Sequence, residues 1–222
     1  MNHPAALAEL RAVMDRLEPE PEHTRHVAAL AVRLFDQLAP LHGLGPDHRV
    51  LLEGAGWLHD LGWTVSEDGS DHHKHSARLI REQSWSHLSA PDVARLALVA
   101  RYHRKALPSL EHREFQALPA TDRDEVCKLA AILRIADACD RSHLQAVRDV
   151  HVRILPDFLE FTLVATAPPL REIAGAGKKG DLARLVFERN LAFRHEAAPD
   201  TPADARPVTP ESPARPGAGP PP

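Results

Sequence analysis

The stretch AGWLHDLG, residues 55–62, places an adjacent histidine and aspartate at the end of an apolar run. The residues before it carry apolar side chains at helical spacing and predict a helix over about 47–61. On a helix, His59 and Asp60 point about 100° apart, so both reach one ion only if it lies between their directions. Imidazole and carboxylate are suitable ligands for Zn, Mn, Fe and Mg. The pair therefore indicates a metal site near the end of this helix.

Two further candidate ligands lie on other predicted helices. His26 falls in an amphipathic segment from Glu22 to about residue 41, and Asp137 falls in an apolar segment over about 122–144. An unpaired carboxylate in such a segment would be costly, and a bound cation would remove that cost. The order H…HD…D, with each member on a helix, favours a metal centre of His26, His59, Asp60 and Asp137.

Each candidate ligand also has a simpler explanation. A histidine on a helix face, such as His26, is commonly solvated or satisfied by a hydrogen bond. Asp137 has basic neighbours that could pair with it, namely Lys128, Arg134 and Arg141. The metal interpretation therefore depends on the four residues taken together.

The pattern of apolar residues predicts a mostly α-helical protein. Helical periodicity runs through residues 1–147 and predicts a helical bundle. The pattern then changes to two alternating segments, VHVRIL and FLEFTLVA, followed by a helical segment and a third strand, so residues 148–195 predict a small α+β appendage. Residues 196–222 are rich in Pro and Ala and predict a disordered tail.

Composition excludes several functional classes. The chain has 222 residues and a formal net charge of -4, which argues against nucleic acid and acidic membranes as partners. Cys127 and Cys139 would lie roughly 18 Å apart on one helix, too far for a disulfide. We see no signal peptide and no apolar run long enough to span a membrane, so a cytoplasmic location is expected.

Three long motifs resemble a known family. HHKHSARLI (72–80), LVARYHRKALP (98–108) and KLAAILRIADACDRSH (128–143) are similar to the C-terminal region of the exopolyphosphatase/guanosine-pentaphosphate phosphatase (Ppx/GppA) family. The H…HD…D order resembles the wider HD-domain phosphohydrolase superfamily. The resemblance runs from about residue 23 to 195 and implies a helical bundle that binds divalent metal.

The resemblance covers only part of that family's architecture. Full-length members carry an actin-like region whose acidic residues are thought to hydrolyse polyphosphate or guanosine pentaphosphate. These 222 residues contain no such region. The resemblance is therefore expected to transfer only the properties of an HD-type domain, and polyphosphate is expected to be a poor substrate.

The resemblance also suggests a second metal ion. In superfamily members with two metals, additional histidines follow the HD pair, and His75 and His103 match those positions. Asp60 would then bridge two ions. Alternatively, His75 is a surface residue at a helix start and His103 a solvated residue favoured by a helix end. One or two divalent ions, of Mn, Fe, Zn or Mg, remain compatible with the sequence.

Basic residues are dense in the motifs that contain the candidate ligands. Cationic side chains beside a metal suit a phosphate-bearing ligand, although a solvated basic face would look similar. We predict phosphate contacts from Lys74, Arg104, Lys105 and Arg141. Lys74 and Arg104 are also predicted to act in catalysis, together with His59 and Asp60.

These features predict a metal-dependent phosphohydrolase that acts on a phosphate ester or phosphoanhydride of a nucleotide-like substrate, with a metal-activated water as nucleophile. The alternative is a non-catalytic module that binds a phosphorylated ligand or partner protein. The expected partner is a small phosphorylated substrate or ligand, and the sequence also leaves a homodimer open.

Overall fold

A computed structural model describes residues 1–66 and 69–199. They form a helical bundle followed by a small three-stranded sheet, which confirms the predicted fold class. The predicted disordered tail lies outside the described residues from position 200 onward. The elements are α1 (His3–Leu17), α2 (Pro21–His42), α3 (Pro46–Leu58), a 3-10 helix (Leu61–Thr64), α4 (His72–Glu82), α5 (Ala90–Arg101), α6 (Arg113–Gln116), α7 (Ala120–Ala138), β1 (Val147–Ile154), β2 (Phe158–Ala165), α8 (Leu170–Lys179), α9 (Asp181–Phe187) and β3 (Asn190–Ala197).

Local sequence signals set several helix ends. A proline occupies the first turn of α2, and Gly43 ends that helix with φ 63°. That left-handed conformation favours glycine because it has no Cβ. Ser89 caps α5: its hydroxyl accepts from the Asp92 N–H, and the Asp92 carboxylate accepts from the Ser89 N–H. These signals are readable without any tertiary information.

The bundle is built around α2, α3, α5 and α7. α3 packs against α1, α2, α5 and α7, and its inner face is fully buried. Leucine and alanine supply most of the core, as the low aromatic content requires. Cys127 and Cys139 are both free, in agreement with the prediction. Within the described ranges, no helix is long and apolar enough to cross a membrane.

Two predicted helices are shorter than expected. α3 ends at Leu58, so His59 is its C-terminal cap and Asp60 precedes the 3-10 helix with φ -106° and ψ 3°. The apolar run continues through Leu61, but these last residues form a turn. The pair is therefore not held on one continuous helix. α7 ends at Ala138 rather than near 144, and a turn follows it.

The C-terminal appendage is folded against the bundle. β1 and β2 form the predicted antiparallel hairpin, and β3 lies parallel to β2. A parallel neighbour requires a crossover connection, which α8 and α9 provide. Gly175 and Gly177 lie within α8 without interrupting it, and α8 packs on α7. This packing brings the end of α8 close to the end of α7.

The third strand extends two residues beyond its predicted end at 195. Glu196 pairs with Val164, and Ala197 pairs with Ala165. The sequence did not indicate this extension. β3 is an edge strand whose side chains are largely exposed, so its last residues need not be apolar. The predicted boundary of the tail at 196 is therefore too early.

The close approach of α2 and α3 gives a first prediction. A Cβ on Gly56 would lie 2.6 Å from the Cα of Ala28, so Gly56→Ala must push the two helices apart. We expect a loss of about 2 kcal/mol in the free energy of unfolding, measured by urea denaturation. The matched control is Gly177→Ala in α8, where nothing lies within 4 Å; it should stabilise the protein by about 0.5–1 kcal/mol. Equal effects at the two positions would contradict the close-packing explanation.

Candidate metal centre

Six buried side chains converge at one end of the bundle. They form three overlapping groups, and within each group the candidate ligand atoms lie within 4.8 Å of one another. The groups are His23, His59 and Asp60; His59, His103 and Asp137; and Asp60, His72 and His103.

Each of these residues stands at or near a helix end, where the chain leaves the apolar packing of the bundle. His23 is in the first turn of α2, and His59 and Asp60 follow α3. His72 opens α4, and His103 comes two residues after α5. Asp137 is the penultimate residue of α7. The centre therefore requires five helix ends to meet.

Asp60 lies in the middle of the cluster. Its Oδ1 is 3.2 Å from His72 Nε2 and 3.6 Å from His103 Nε2. Its Oδ2 is 3.6 Å from His59 Nε2 and 3.9 Å from His23 Nε2. One carboxylate thus faces four imidazoles.

The outer nitrogens of the imidazoles are fixed by hydrogen bonds. Nδ1 of His59 lies 2.8 Å from the Gly56 carbonyl, and Nδ1 of His103 lies 2.7 Å from the Ala100 carbonyl. His72 Nδ1 lies 2.8 Å from a backbone carbonyl in the same way. A proton on Nδ1 leaves the Nε2 lone pair directed into the cluster, which is the usual arrangement in histidine ligands.

His23 is fixed by a carboxylate rather than a carbonyl. Its Nδ1 lies 2.8 Å from Oδ2 of Asp140, which is fully buried, and its ring stacks on His143 at 3.8 Å. Asp140 also accepts a hydrogen bond from the Gln145 backbone N–H. The sequence analysis did not identify Asp140, although the motif DACD, residues 137–140, places it one helical turn after Asp137.

The donor atoms fit a cation. His23 Nε2, His59 Nε2 and Asp60 Oδ1 are buried and have no hydrogen-bond partner among the described residues; the 3.2 Å approach of His72 to Asp60 lacks hydrogen-bond geometry. Leaving such atoms unsatisfied costs on the order of 1–3 kcal/mol each. Imidazole nitrogens and carboxylate oxygens are common metal ligands, and a bound cation would satisfy all three atoms at once.

The charge state of the cluster also suits a cation. Burial by itself would raise the pKa of Asp60, but the His59, His72 and His103 imidazoles hold that pKa well below its usual value. Burial, with a contribution from His59, lowers the pKa of His103 well below its usual value. An ionised Asp60 beside a neutral His103 is a protonation state that suits metal binding.

Asp137 has a cationic partner of its own. Burial opposes ionisation, but the ammonium of Lys179, which is in contact with the carboxylate, holds the pKa of Asp137 far below its usual value. Among the described residues, none of the three basic side chains offered as alternative partners of Asp137 pairs with it. The actual partner comes from the end of α8, 42 residues away in the chain.

The structure places two of the predicted ligands elsewhere. His26 Nε2 lies 2.8 Å from the Val147 carbonyl, in a half-buried position beside the appendage. His75 lines a surface cavity with Arg78 and Glu114. His23 and His72, each three residues earlier, take their places in the cluster. On a helix that separation is about 60° around the axis and 4.5 Å along it, so sequence periodicity does not distinguish them.

The predicted phosphate contacts fall into two sets. Arg104, Lys105 and Arg141 line a cavity of about 310 Å³ between α7, α8 and the turn after α5. Arg104 also lies 3.1 Å from His72 Nε2, at the edge of the cluster. Lys74 instead pairs with Asp71 at 3.1 Å and lines the surface cavity that contains His75. The structure does not bring Lys74 to the cluster.

A smaller opening, of about 110 Å³, is lined by Asp60 together with Glu18, Trp63 and His143. Trp63 is 46% exposed and stacks on His72. Burial, with a contribution from the charge of Asp60, raises the pKa of Glu18 from 4.5 to about 7. Neither Glu18 nor Trp63 was predicted, because nothing in the local sequence distinguishes them from a helix-end glutamate and a core aromatic.

Comparison with protein families agrees with the three motifs. A family model described as Ppx/GppA phosphatase, domain III, matches residues 9–173. The chain belongs to the Ppx/GppA phosphatase domain III family. The match includes all six residues of the cluster and ends inside α8, so Lys178 and Lys179 lie beyond it. This membership confirms the predicted Ppx/GppA relation and is consistent with a phosphatase-type hydrolase.

Glu18 gives a prediction for the metal-free protein. Its folded pKa lies above its unfolded value of 4.5, so its contribution to stability is complete below pH 4.5 and is lost as pH rises through about 7. In Glu18→Gln the amide oxygen can still accept from the Glu20 N–H. After chelator treatment, we expect the variant to gain up to about 3 kcal/mol over wild type between pH 4.5 and 8.

The measurement is urea denaturation of both proteins at several pH values. The control is Glu22→Gln, an exposed glutamate four residues along the chain. A difference between wild type and Glu18→Gln that does not change with pH would show that Glu18 ionises normally.

Proposed function

We propose that the chain is a metal-dependent phosphohydrolase of the HD superfamily whose ligands are His23, His59, Asp60, His72, His103 and Asp137. The observation that carries the proposal is the set of buried Nε2 and carboxylate atoms that lie within 4.8 Å of one another in three overlapping groups, three of them without a hydrogen-bond partner among the described residues. The proposed set keeps four of the predicted ligands and substitutes His23 for His26 and His72 for His75. The H…HD…D order is retained with these substitutions.

The arrangement accommodates one ion or two. His59, Asp60 and His103 each belong to two of the three overlapping groups. Asp60 offers both oxygens, with His72 and His103 nearest to Oδ1 and His59 and His23 nearest to Oδ2. A bridging carboxylate with histidines on either side is the arrangement that a two-ion centre needs. Mn, Fe, Zn and Mg all accept such ligands.

The chain's own residues supply the rest of the chemistry. Bound divalent metal would contribute positive charge and lower the pKa of a water molecule. Arg104, Lys105 and Arg141 would hold the phosphate oxygens and offset charge that develops on them. Asp140 keeps the His23 ring in one orientation. Glu18, beside Asp60, is placed to exchange a proton with water entering through the smaller opening.

The second candidate function is a non-catalytic module that binds a phosphorylated ligand. The observation that favours it is the family match itself, which is to the third domain of a phosphatase rather than to a whole enzyme. The complete ligand cluster favours catalysis, since binding alone would not require it. The two candidates differ in one measurable property, the turnover of a phosphorylated compound.

The ligand assignment predicts unequal effects for two neighbouring histidines. His23→Ala should reduce the metal content of purified protein or weaken metal binding at least about tenfold, because it removes a first-contact ligand. His26→Ala should leave metal content unchanged, because its ring contacts only a backbone carbonyl within the described residues. Elemental analysis and titration with Mn²⁺ measure both. The reverse result would assign the site to His26.

Activity is tested by a screen of phosphomonoesters, nucleotides and polyphosphate with added Mn²⁺, Zn²⁺ or Mg²⁺. We expect hydrolysis of a nucleotide-like ester that falls about 100-fold or more in Asp60→Asn, the loss typical of removing a pre-organised charge at a reaction centre. Polyphosphate should be a poor substrate.

The matched control is Asp36→Asn, an exposed aspartate paired with Arg49. Metal binding without turnover of any compound would favour the non-catalytic module. Rapid release of phosphate from long polyphosphate would overturn the expected substrate preference.

A further inference from the structure

The 310 Å³ cavity beside the cluster is strongly basic. Among the residues that the structure describes, six cationic side chains line it against a single carboxylate, that of Asp181. The cations come from the turn after α5, from α7 and the turn that follows it, and from the end of α8. They are Arg104, Lys105, Arg134, Arg141, Lys178 and Lys179.

Internal pairing neutralises only part of this charge. Arg134 donates three hydrogen bonds to Asp181, of 2.8, 3.0 and 3.1 Å, and is itself 3% exposed. The side chains of Arg141 and Lys178, by contrast, have no polar partner in the described ranges 1–66 and 69–199. The Arg141 side chain lies along α8, with its Cγ 3.7 Å from the position that a Cβ on Gly175 would take. Like charges held together without internal counter-charges indicate a site for an anion.

The position of the lysines at a helix end does not account for the whole arrangement. The C-terminal end of a helix favours cations, which explains Lys178 and Lys179 individually. It does not explain why Arg104 and Arg141 face them from other elements, whereas the ammonium of Lys105 already contacts the Ser70 carbonyl and lies 3.7 Å from Asp71. A tetrahedral oxyanion with several acceptor oxygens satisfies guanidinium and ammonium donors that converge from different directions.

Lys179 links this cavity to the metal centre. Its Nζ contacts Oδ2 of Asp137, while its side chain lines the basic cavity. The other oxygen of Asp137, Oδ1, lies 3.9 Å from His23 Nε2 within the cluster. A cation bound by Asp137 would take the place of the ammonium as partner of that carboxylate. The released ammonium would then be available to an anion in the cavity.

We propose that the basic cavity binds a phosphate group and that Lys179 couples its occupancy to cation binding at Asp137. The coupling rests on the proposed metal centre, whereas the anion site itself does not. Lys178 and Lys179 lie beyond the residues matched by the family model. The coupling is reciprocal, because any factor by which the cation raises the affinity for phosphate must equally apply in the opposite direction.

The anion site is tested by calorimetric titration of the full chain with inorganic phosphate, after removal of metal. Lys178→Gln and Arg141→Gln should each weaken phosphate binding about tenfold, the typical loss for one charge-assisted contact. The control is Arg171→Gln, an exposed arginine on the same helix that is not part of the cavity lining; it should bind as wild type does. Equal affinities in all four proteins, with unchanged unfolding midpoints, would overturn the proposal.

The source of the phosphate group is resolved by a competition experiment. If the cavity holds the phosphate of an ester, adenosine monophosphate should displace inorganic phosphate with the same dependence on Lys178. If it holds free phosphate as product or effector, the nucleotide should fail to compete while the dependence on Lys178 persists.

The coupling is tested with Mn²⁺. In wild type, Mn²⁺ should strengthen phosphate binding by several-fold, within the usual range for coupled sites. In Lys179→Met, Mn²⁺ alone should bind more tightly than in wild type, because the competing ammonium is gone, and the effect of Mn²⁺ on phosphate binding should shrink. Lys178→Gln removes the same charge without contacting Asp137 and should affect Mn²⁺ binding much less. Equal gains in Mn²⁺ affinity in the two lysine variants would refute a role for the Lys179 contact.

The two proposals fail in different ways. If Asp60→Ala binds Mn²⁺ as wild type does, the proposed metal centre is wrong, and the phosphate titrations of metal-free protein still decide the anion site. If Mn²⁺ binds at Asp60 but phosphate affinity is independent of Lys178 and Arg141, the metal centre stands and the anion site is refuted.

Discussion

The burial of the Asp60 carboxylate among four imidazoles is the constraint on which the functional end of this protein depends. A carboxylate removed from water is stable only if positive charge or hydrogen-bond donors surround it. Here the imidazoles of His59, His72 and His103 keep it ionised, although one of its oxygens still has no hydrogen-bond partner. An interior of this kind gains free energy when a cation enters. The buried His and Asp side chains of this cluster could therefore hold a metal ion.

Helix ends, rather than helix faces, build the centre. The bundle buries leucine and alanine along its length, and polar donors appear only where the helices stop. The close approach of α2 and α3 at Gly56 brings two of these ends together. Carbonyls in the last turns of α3 and α5 orient His59 and His103. Packing and ligand geometry are therefore set by the same backbone positions.

The C-terminal appendage extends the site as well as the fold. The parallel pairing of β3 with β2 requires the crossover through α8 and α9, and α8 then lies on α7. That packing delivers Lys178 and Lys179 to the basic cavity and places one ammonium on Asp137. A small sheet far from the cluster in sequence thus determines the charge beside it. The smaller opening beside Glu18 and Trp63 differs from the basic cavity, because it is lined by carboxyl groups and aromatic rings.

The sequence by itself determined the fold class, the hairpin, the family motifs, and the participation of His59, Asp60, His103 and Asp137 in one cluster. Apolar periodicity and the HD dipeptide are local signals, and His103 was indicated by the resemblance to superfamily members with two metals. It could not choose His23 over His26 or His72 over His75, since residues three apart share nearly the same helix face. Only the tertiary structure distinguishes them, because the first turns of α2 and α4 are the parts of those helices that bring His23 and His72 into the cluster around Asp60. Asp140, Glu18 and Lys179 likewise gain their roles from contacts between distant segments, which no local pattern encodes.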